Sequence, residues 1–135
     1  EPVLAAFNAA GWTYRIDFDY MGGLSKKLNM SCIGATNYSQ KTIYLSEASA
    51  TLHEFGHFLD WMLGFPAEYE QLFRAEASAA PLRNYAKTDS REYFADCFAY
   101  WVKYAENANA ISLLQECAPM TYRYMEDLMR IANRL

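Results

Sequence analysis

The stretch from Ser46 to Gly64 restricts the fold of this chain more than any other, because it can form one uninterrupted helix. Ser46 is a favourable N-cap, Glu47 suits the first helical turn, and no helix breaker stronger than Gly56 precedes Gly64. We therefore predict a helix over residues 47–63. Strand signals precede this segment and helix signals follow it, so it divides the chain into two parts of different structure.

The residues before this segment favour short strands and turns. Residues 12–18 alternate apolar with polar side chains, which is typical of a half-buried strand, and residues 28–34 and 41–45 are two further strand candidates. The sequence MGGL at residues 21–24 is a turn signal. A short helix over residues 2–10 precedes the first strand. This part of the chain therefore predicts a small sheet.

The residues after this segment favour helices. Helical periodicity and end signals predict three of them, over residues 66–79, 89–107 and 119–135. An order of strands first and helices afterwards predicts an α+β fold. We expect a small N-terminal β-sheet, the helix over residues 47–63, and a C-terminal helical subdomain.

Size and charge restrict the classes of function. The chain has 135 residues, of which 53% are hydrophobic and 21% are charged, and this is typical of one compact globular domain. Its net charge of −4 offers no basic stripe for phosphates, so we expect no nucleic-acid partner. No apolar run is long enough to span a bilayer, so we expect no membrane association. The cysteines form no CxxC pattern and favour reduced thiols.

Residues 51–60, TLHEFGHFLD, hold both histidines of the chain, His53 and His57. Positions i and i+4 of a helix lie on the same face, so the two imidazoles can bind one metal ion. Glu54 lies about 100° around the helix from His53, where it can act as general base on a water molecule without binding the ion. A surface helix can carry so short a pattern by chance, but the use of both histidines here favours a metal site.

A hydrolytic zinc site needs a third protein ligand, and because no third histidine exists, a carboxylate must supply it. Glu92 and Asp96 are the best candidates, because their i and i+4 spacing lets one bind the metal while the other accepts a hydrogen bond from a ligating imidazole. Glu92 has an alternative role, since Asp89 and Glu92 also form the pattern of a capping box. Asp60, three residues after His57, is a further candidate ligand or supporting group, or else it caps or pairs structurally.

Two stretches together resemble the catalytic domain of anthrax lethal factor and its relatives, among them the Pro-Pro endopeptidases. HEFGHFLD at residues 53–60 is followed by Tyr85 and, after six intervening residues, by EYFADCF at residues 92–98. The similarity covers residues 44–101 and implies a zincin-like fold and a gluzincin metallopeptidase. Position 96 is Asp where lethal factor has Glu. The resemblance implies zinc ligands His53, His57 and Glu92, the general base Glu54, the transition-state donor Tyr85 and the supporting carboxylate Asp96.

These signals predict that residues 1–135 form a single zincin-like domain, a zinc-dependent metalloendopeptidase whose substrate is a protein or peptide. An extended substrate would add a strand to the sheet at KTIYL, residues 41–45, if that strand lies at an edge rather than in the interior. Two alternatives stay open: an intracellular regulatory peptidase that cleaves a repressor-type protein, and a catalytically silent zinc-binding interaction module. The oligomeric state stays open, as does a secreted or a bacterial cytoplasmic setting.

Overall fold

The computed structural model describes residues 2–132 and confirms the α+β class. The three strands of this part are short, and the helices account for most of the remaining residues. The strands are β1 (Thr13–Ile16), β2 (Gly34–Asn37) and β3 (Thr42–Leu45). The helices are α1 (Pro2–Ala9), α2 (Phe18–Leu28), α3 (Thr51–Met62), α4 (Ala67–Glu76), α5 (Ser90–Lys103), α6 (Ala108–Cys117) and α7 (Pro119–Ala132).

The strands form one sheet in the order β1, β3, β2. Strand β1 runs parallel to β3, with Thr13 opposite Thr42, and β2 runs antiparallel to β3, with Gly34 opposite Leu45. All residues of β3 are buried, because the strand has neighbours on both sides. The strand predicted at residues 41–45 is therefore interior, and β2 is an edge strand.

The first third of the chain contains one more helix than predicted. MGGL at residues 21–24 lies inside α2, so the predicted turn is wrong. Asp17 caps this helix by accepting a hydrogen bond from a backbone N–H of the first turn, Met21 is buried, and Asn29 ends the helix in the left-handed conformation with φ 53°. The strand predicted over residues 28–34 is also wrong, because most of these residues form the loop between α2 and β2.

The helices predicted after the sheet are observed at slightly different bounds, as α3, α4, α5 and α7. A 3-10 turn, Ala48–Ala50, precedes α3, so the helical segment begins close to the predicted start at residue 47. Residues 133–135, the end of the last predicted helix, lie outside the described part.

Helix α6 was not predicted. The helix expected over residues 89–107 ends at Lys103, and α6 begins after Asn107, whose side chain accepts a hydrogen bond from the backbone N–H of Ala110. Within residues 2–132, none of the helices combines the length and the apolar character needed to cross a membrane.

Helix α3 lies between two hydrophobic cores. Phe58 is buried in the core beneath the sheet, and the next residue, Leu59, is buried in the core of the helical part. A fully buried side chain of this size stabilises a fold by about 1.5–3 kcal/mol relative to an exposed one. Because α3 is packed on two sides, its histidine-bearing face has a fixed orientation.

Cys97 lies in the helical core, where burial raises the pKa of its thiol to about 12, and it is one of three free cysteines.

Gly56 allows α3 to approach α5 very closely. A Cβ atom at this position would lie 2.7 Å from Cα and 2.8 Å from the carbonyl oxygen of Ala95 in α5. Glycine in the middle of a helix costs about 1 kcal/mol relative to alanine. The close approach explains why a glycine occupies this position, since it brings α5 and its carboxylates next to the histidines of α3.

Glu76 joins the end of α4 to the beginning of α7. Its buried carboxylate accepts hydrogen bonds from the backbone N–H of Met120 at 3.0 Å and from the backbone N–H and the hydroxyl of Thr121 at 2.7 and 2.8 Å. These N–H groups have no partner inside α7, because they belong to its first turn. A carboxylate at this end also interacts favourably with the helix dipole. Glu76 therefore fixes α7 against the helical core.

Candidate metal centre

The two histidines of α3 lie next to each other in a largely buried position. Nε2 of His53 and Nε2 of His57 are 3.1 Å apart, and both side chains are less than a tenth exposed. Glu92, in the first turn of α5, places its Oε2 atom 2.9 Å from the first nitrogen and 3.3 Å from the second. The structure thus brings together the three residues that the sequence predicted as ligands.

These three donor atoms fit a tetrahedral metal ion. Two bonds of about 2.0–2.2 Å at a tetrahedral angle separate their donors by about 3.3–3.6 Å. The observed separations of 2.9, 3.1 and 3.3 Å reach that spacing after small side-chain movements. Two imidazoles and one carboxylate leave the fourth position of a tetrahedral ion open, which is the arrangement of catalytic rather than structural sites.

Glu92 does not act as the second half of a capping box. Asp89 does cap α5, because its side chain accepts a hydrogen bond from the backbone N–H of Glu92 at 2.9 Å. The carboxylate of Glu92, however, is directed to the two histidines. Burial alone would raise the pKa of Glu92, but hydrogen bonds from His53 and His57 outweigh burial and lower it to about 2. Glu92 is therefore an ionised group suited to a cation.

Asp96 orients the imidazole of His53. Its Oδ1 atom lies 2.5 Å from Nδ1 of His53, which leaves Nε2 of that ring facing Glu92. Burial alone would lower the pKa of His53, but the hydrogen bonds to Asp96 and Glu92 raise it to about 9. In the metal-free protein this shift favours the protonated imidazole, so a metal ion bound at Nε2 would have to displace a proton.

Arg83 was not predicted from the sequence, and it contacts the same carboxylate. Nε of Arg83 lies 2.7 Å from Oδ2 of Asp96, and Nη2 lies 3.0 Å from Oδ1. Burial alone would raise the pKa of Asp96, but hydrogen bonds from His53 and Arg83 lower it. No local signal in the sequence reveals this contact, because Arg83 lies in the loop before a 3-10 helix, Asn84–Lys87, and Asp96 lies inside α5.

The other ring nitrogen of His57 contacts a tyrosine rather than Asp60. The hydroxyl of Tyr38 lies 3.3 Å from Nδ1 of His57. Asp60 is 3% exposed and lines a small cavity together with Phe65 and Arg91, and no side-chain hydrogen bond joins it to His57 in the described part of the chain. Burial raises the pKa of Asp60 to about 6, although His57 and Arg91 oppose this shift. Asp60 therefore lies near the cluster without contacting its donors.

Glu54 lies beside the three donors and points to the sheet. One carboxylate oxygen, Oε2, is 3.9 Å from Nε2 of His53, and the other, Oε1, accepts a hydrogen bond from the Thr36 hydroxyl at 2.8 Å. Gly34 leaves room for this carboxylate, because a Cβ atom there would lie 2.9 Å from Cγ and Oε2 of Glu54. Burial raises the pKa of Glu54, which makes its carboxylate a stronger base. The sequence indicated neither Thr36 nor Gly34.

Tyr85 lies at the open edge of the cluster. Its ring centroid is 6.1 Å from that of His53, and the residue is 42% exposed. Burial of the rest of the side chain, together with the charges of Glu92 and Glu54, raises the pKa of Tyr85 to about 12. The phenol therefore keeps its proton at neutral pH and can donate a hydrogen bond into the cleft.

Comparisons with known proteins agree on one family. The family model described as "Anthrax toxin lethal factor, N- and C-terminal domain" matches residues 15–128. The Pro-Pro endopeptidase of Clostridioides difficile (strain 630) is 30% identical over 83 residues, which cover 58% of this chain and 36% of that protein. The matched region thus spans about a third of this relative's length.

A solved structure has the same fold. The Pro-Pro endopeptidase from Paenibacillus alvei superposes with a TM-score of 0.69, over 93% of this chain and 82% of that one. The two sequences are 20% identical, so this likeness concerns the fold alone. It agrees with the zincin-like arrangement expected from the sequence: a small sheet, the histidine-bearing helix α3 and a helical part.

Proposed function

Because the chain belongs to the anthrax toxin lethal factor family, we propose that it is a zinc-dependent metalloendopeptidase of the gluzincin type. The observation that carries the proposal is the donor set of His53, His57 and Glu92. The carboxylate of Glu54 lies close to this set without being part of it. A relative of this chain, the protein from Clostridioides difficile, is named as an endopeptidase, which supports peptide-bond hydrolysis as the reaction.

His53, His57 and Glu92 would hold the zinc ion through the two Nε2 atoms and Oε2. When bound there, zinc supplies a Lewis acid that polarises a peptide carbonyl and lowers the pKa of a water molecule toward 7. Asp96 and Tyr38 hold the two imidazoles by their Nδ1 atoms, so that both Nε2 atoms face the cleft.

Glu54 acts as the general base. Its Oε1 atom is occupied by the hydroxyl of Thr36, which leaves Oε2 free to take the proton of the attacking water. Because burial raises the pKa of Glu54, the carboxylate accepts this proton more readily than an exposed one. The same group can then deliver the proton to the leaving amine.

Tyr85 donates a hydrogen bond to the substrate carbonyl oxygen as negative charge develops on it. The phenol is protonated at neutral pH, as an ordinary tyrosine is, and burial and neighbouring carboxylates raise its pKa further, to about 12. Removal of one donor of this kind typically lowers kcat by about 10²-fold to 10³-fold.

The substrate is a protein or peptide that binds in extended form along β2. This strand pairs with β3 on one side and is an edge strand, and its residue Thr36 contacts Glu54 directly. A peptide that adds to such an edge places successive backbone groups along the catalytic carboxylate. The name of the Clostridioides difficile relative makes peptides with consecutive prolines the first substrates to test.

A catalytically silent zinc-binding module is the alternative outside enzymes. Structural zinc sites usually have four ligands and often include cysteines. The donor group found among the described residues has three members and contains no cysteine, and Cys97, the neighbour of Asp96, is buried in the helical core. This donor set favours catalysis. A regulatory peptidase that cleaves a repressor-type protein would use the same site and differs only in its substrate.

The test is a peptide-library digest, analysed by mass spectrometry, with libraries that include proline pairs. We expect the zinc-loaded wild type to form products and the metal-free protein to form none. Glu54→Gln should retain zinc and form no product, whereas Glu116→Gln, an exposed carboxylate on α6, should behave as wild type. Cleavage by Glu54→Gln at the wild-type rate would contradict the mechanism, and the absence of any product from the wild type would favour the silent module.

A further inference from the structure

Arg83 contacts two groups that lie next to His53 of the proposed zinc site. Its guanidinium donates two hydrogen bonds to Asp96, at 2.7 and 3.0 Å. Its Cζ atom also lies 5.2 Å from the centroid of the Tyr85 ring, in the position of a cation–π contact. The mechanism proposed above assigns Asp96 and Tyr85 separate tasks, and Arg83 contacts both.

The contact with Asp96 restricts the orientation of its carboxylate. A guanidinium presents two parallel N–H groups that match the two oxygens of a carboxylate, so the pair has one preferred geometry. Oδ1 of Asp96 accepts a hydrogen bond from Arg83 and also lies against Nδ1 of His53. Because the side chain of Asp96 is only 7% exposed, the carboxylate depends on these two protein partners rather than on water. Arg83 thereby determines the orientation of the His53 imidazole.

The contact with Tyr85 restricts the position of its phenol ring. The ring is 42% exposed, and its centroid lies 5.2 Å from Cζ of Arg83 and 6.1 Å from the centroid of the His53 imidazole. A half-exposed aromatic side chain otherwise samples several rotamers. The planar, weakly hydrated guanidinium stacks on an aromatic face better than an ammonium group does. Arg83 thereby keeps the hydroxyl of Tyr85 at the edge of the cleft.

We propose that Arg83 is a positioning residue that aligns a zinc ligand, through Asp96, and the oxyanion donor Tyr85, through a cation–π contact. This inference rests on the function proposed above. In this account Arg83 contacts neither the three proposed donor atoms nor the substrate, and its Nη2 atom lies 3.3 Å from Nδ1 of His53, the nitrogen that faces Asp96. Its effect therefore depends on geometry. A positive charge near a cation site by itself weakens metal binding. A test must therefore keep the charge and change only the shape of the side chain.

Arg83→Lys meets this requirement, because lysine keeps the positive charge but lacks the two parallel N–H donors and the planar shape of the guanidinium. We expect the dissociation constant for zinc, measured by competition with a chromogenic chelator, to rise about 10-fold, near the lower end of the effect typical for partners of metal ligands. Arg74→Lys is the matched control, since Arg74 also places Nε 3.0 Å from a carboxylate, that of Glu70, but lies on the exposed surface of α4. A zinc affinity equal to that of the wild type in Arg83→Lys would overturn the part of the inference that concerns Asp96.

A double-mutant cycle tests the part that concerns Tyr85. At saturating zinc, Arg83→Lys should lower kcat with little change in KM, because the donor acts in the transition state. Tyr85→Phe should lower kcat as well, and adding Arg83→Lys to Tyr85→Phe should have little further effect on kcat, since the hydroxyl is already absent. Additive effects of the two changes would overturn this part of the inference.

These measurements separate the inference from the proposed function. If the wild type binds zinc and cleaves no peptide, the proposed function fails and the Tyr85 part fails with it, while the zinc affinity of Arg83→Lys still decides the Asp96 part. A merely structural role of Arg83 predicts a lower melting temperature with unchanged zinc affinity and kcat, and that result would overturn the whole inference.

Discussion

Gly56→Ala tests whether the proposed metal centre depends on the close approach of α3 and α5. The new Cβ atom would lie 2.7 Å from Cα of Ala95, whereas ordinary van der Waals contacts begin at 3.4 Å. The Cα atom belongs to the backbone of α5, and the new Cβ atom is bonded directly to the backbone of α3, so no flexible side chain can move aside. The two helices must therefore separate by about 0.7 Å.

This displacement should affect the site more than the stability. Overpacking typically costs about 1–3 kcal/mol, and the better helix propensity of alanine offsets about 1 kcal/mol of that cost. The site, in contrast, is divided between the helices: the histidines lie on α3, and Glu92 lies on α5. A misplacement near 1 Å can lower activity by about 10²-fold. We expect at least about a 10-fold loss of zinc affinity and of kcat/KM.

The assays are urea unfolding, zinc competition with a chelator, and peptide cleavage. Gly22→Ala is the matched control, because Gly22 also lies inside a helix and a Cβ atom there would meet nothing within 4 Å. That variant should be more stable by up to about 1 kcal/mol and bind zinc normally. A Gly56→Ala protein with higher stability and wild-type zinc affinity would refute the reasoning, because it would show that the helices do not need this spacing.

Three further predictions address the proposed base Glu54, the fold and the proposed ligand His53. Thr36→Val removes the hydroxyl that contacts Glu54 at 2.8 Å and should lower kcat about 10-fold with unchanged zinc content; an unchanged kcat would contradict the contact's role. Glu76→Gln should lower the free energy of unfolding in urea by about 1–3 kcal/mol and leave zinc affinity intact, because the charged acceptor of the α7 N–H groups is lost. Because His53 has a pKa of about 9 in the metal-free protein, zinc must displace its proton, and the affinity should rise about 10-fold per pH unit between pH 6.5 and 8. A pH-independent affinity would show that the ring is already neutral.

Local spacing is enough to identify part of the site. His53 and His57 are neighbours on a helix face because they are four residues apart, and the helix that carries them is correctly predicted. The absence of a third histidine and the i, i+4 spacing reduced the third ligand to Glu92 or Asp96, and the resemblance to a family selected Glu92. Tyr85 was reached through the resemblance alone, since its separation from the histidines in sequence carries no spatial information. The structure then places Glu92 within 3.3 Å of both rings.

The partners of these residues depend on contacts between distant elements. Thr36 reaches Glu54 only because β2 lies beside α3, and Arg83 reaches Asp96 only because the loop after α4 folds over α5. No periodicity in the sequence encodes such contacts. The fold prediction failed for a related reason at residues 21–24, where two glycines favour a turn but a cap at Asp17 and tertiary packing of Met21 stabilise a helix.

Zinc content measured by elemental analysis tests the central claim most directly. The protein is loaded with zinc, dialysed against a metal-free buffer and compared with Glu92→Ala prepared in the same way. The account predicts about one zinc ion per chain in the wild type and far less in the variant, because Glu92 supplies one of three ligands. Stoichiometric zinc in Glu92→Ala, or no zinc in the folded wild type, would contradict the assignment of this cluster as the metal centre of a peptidase.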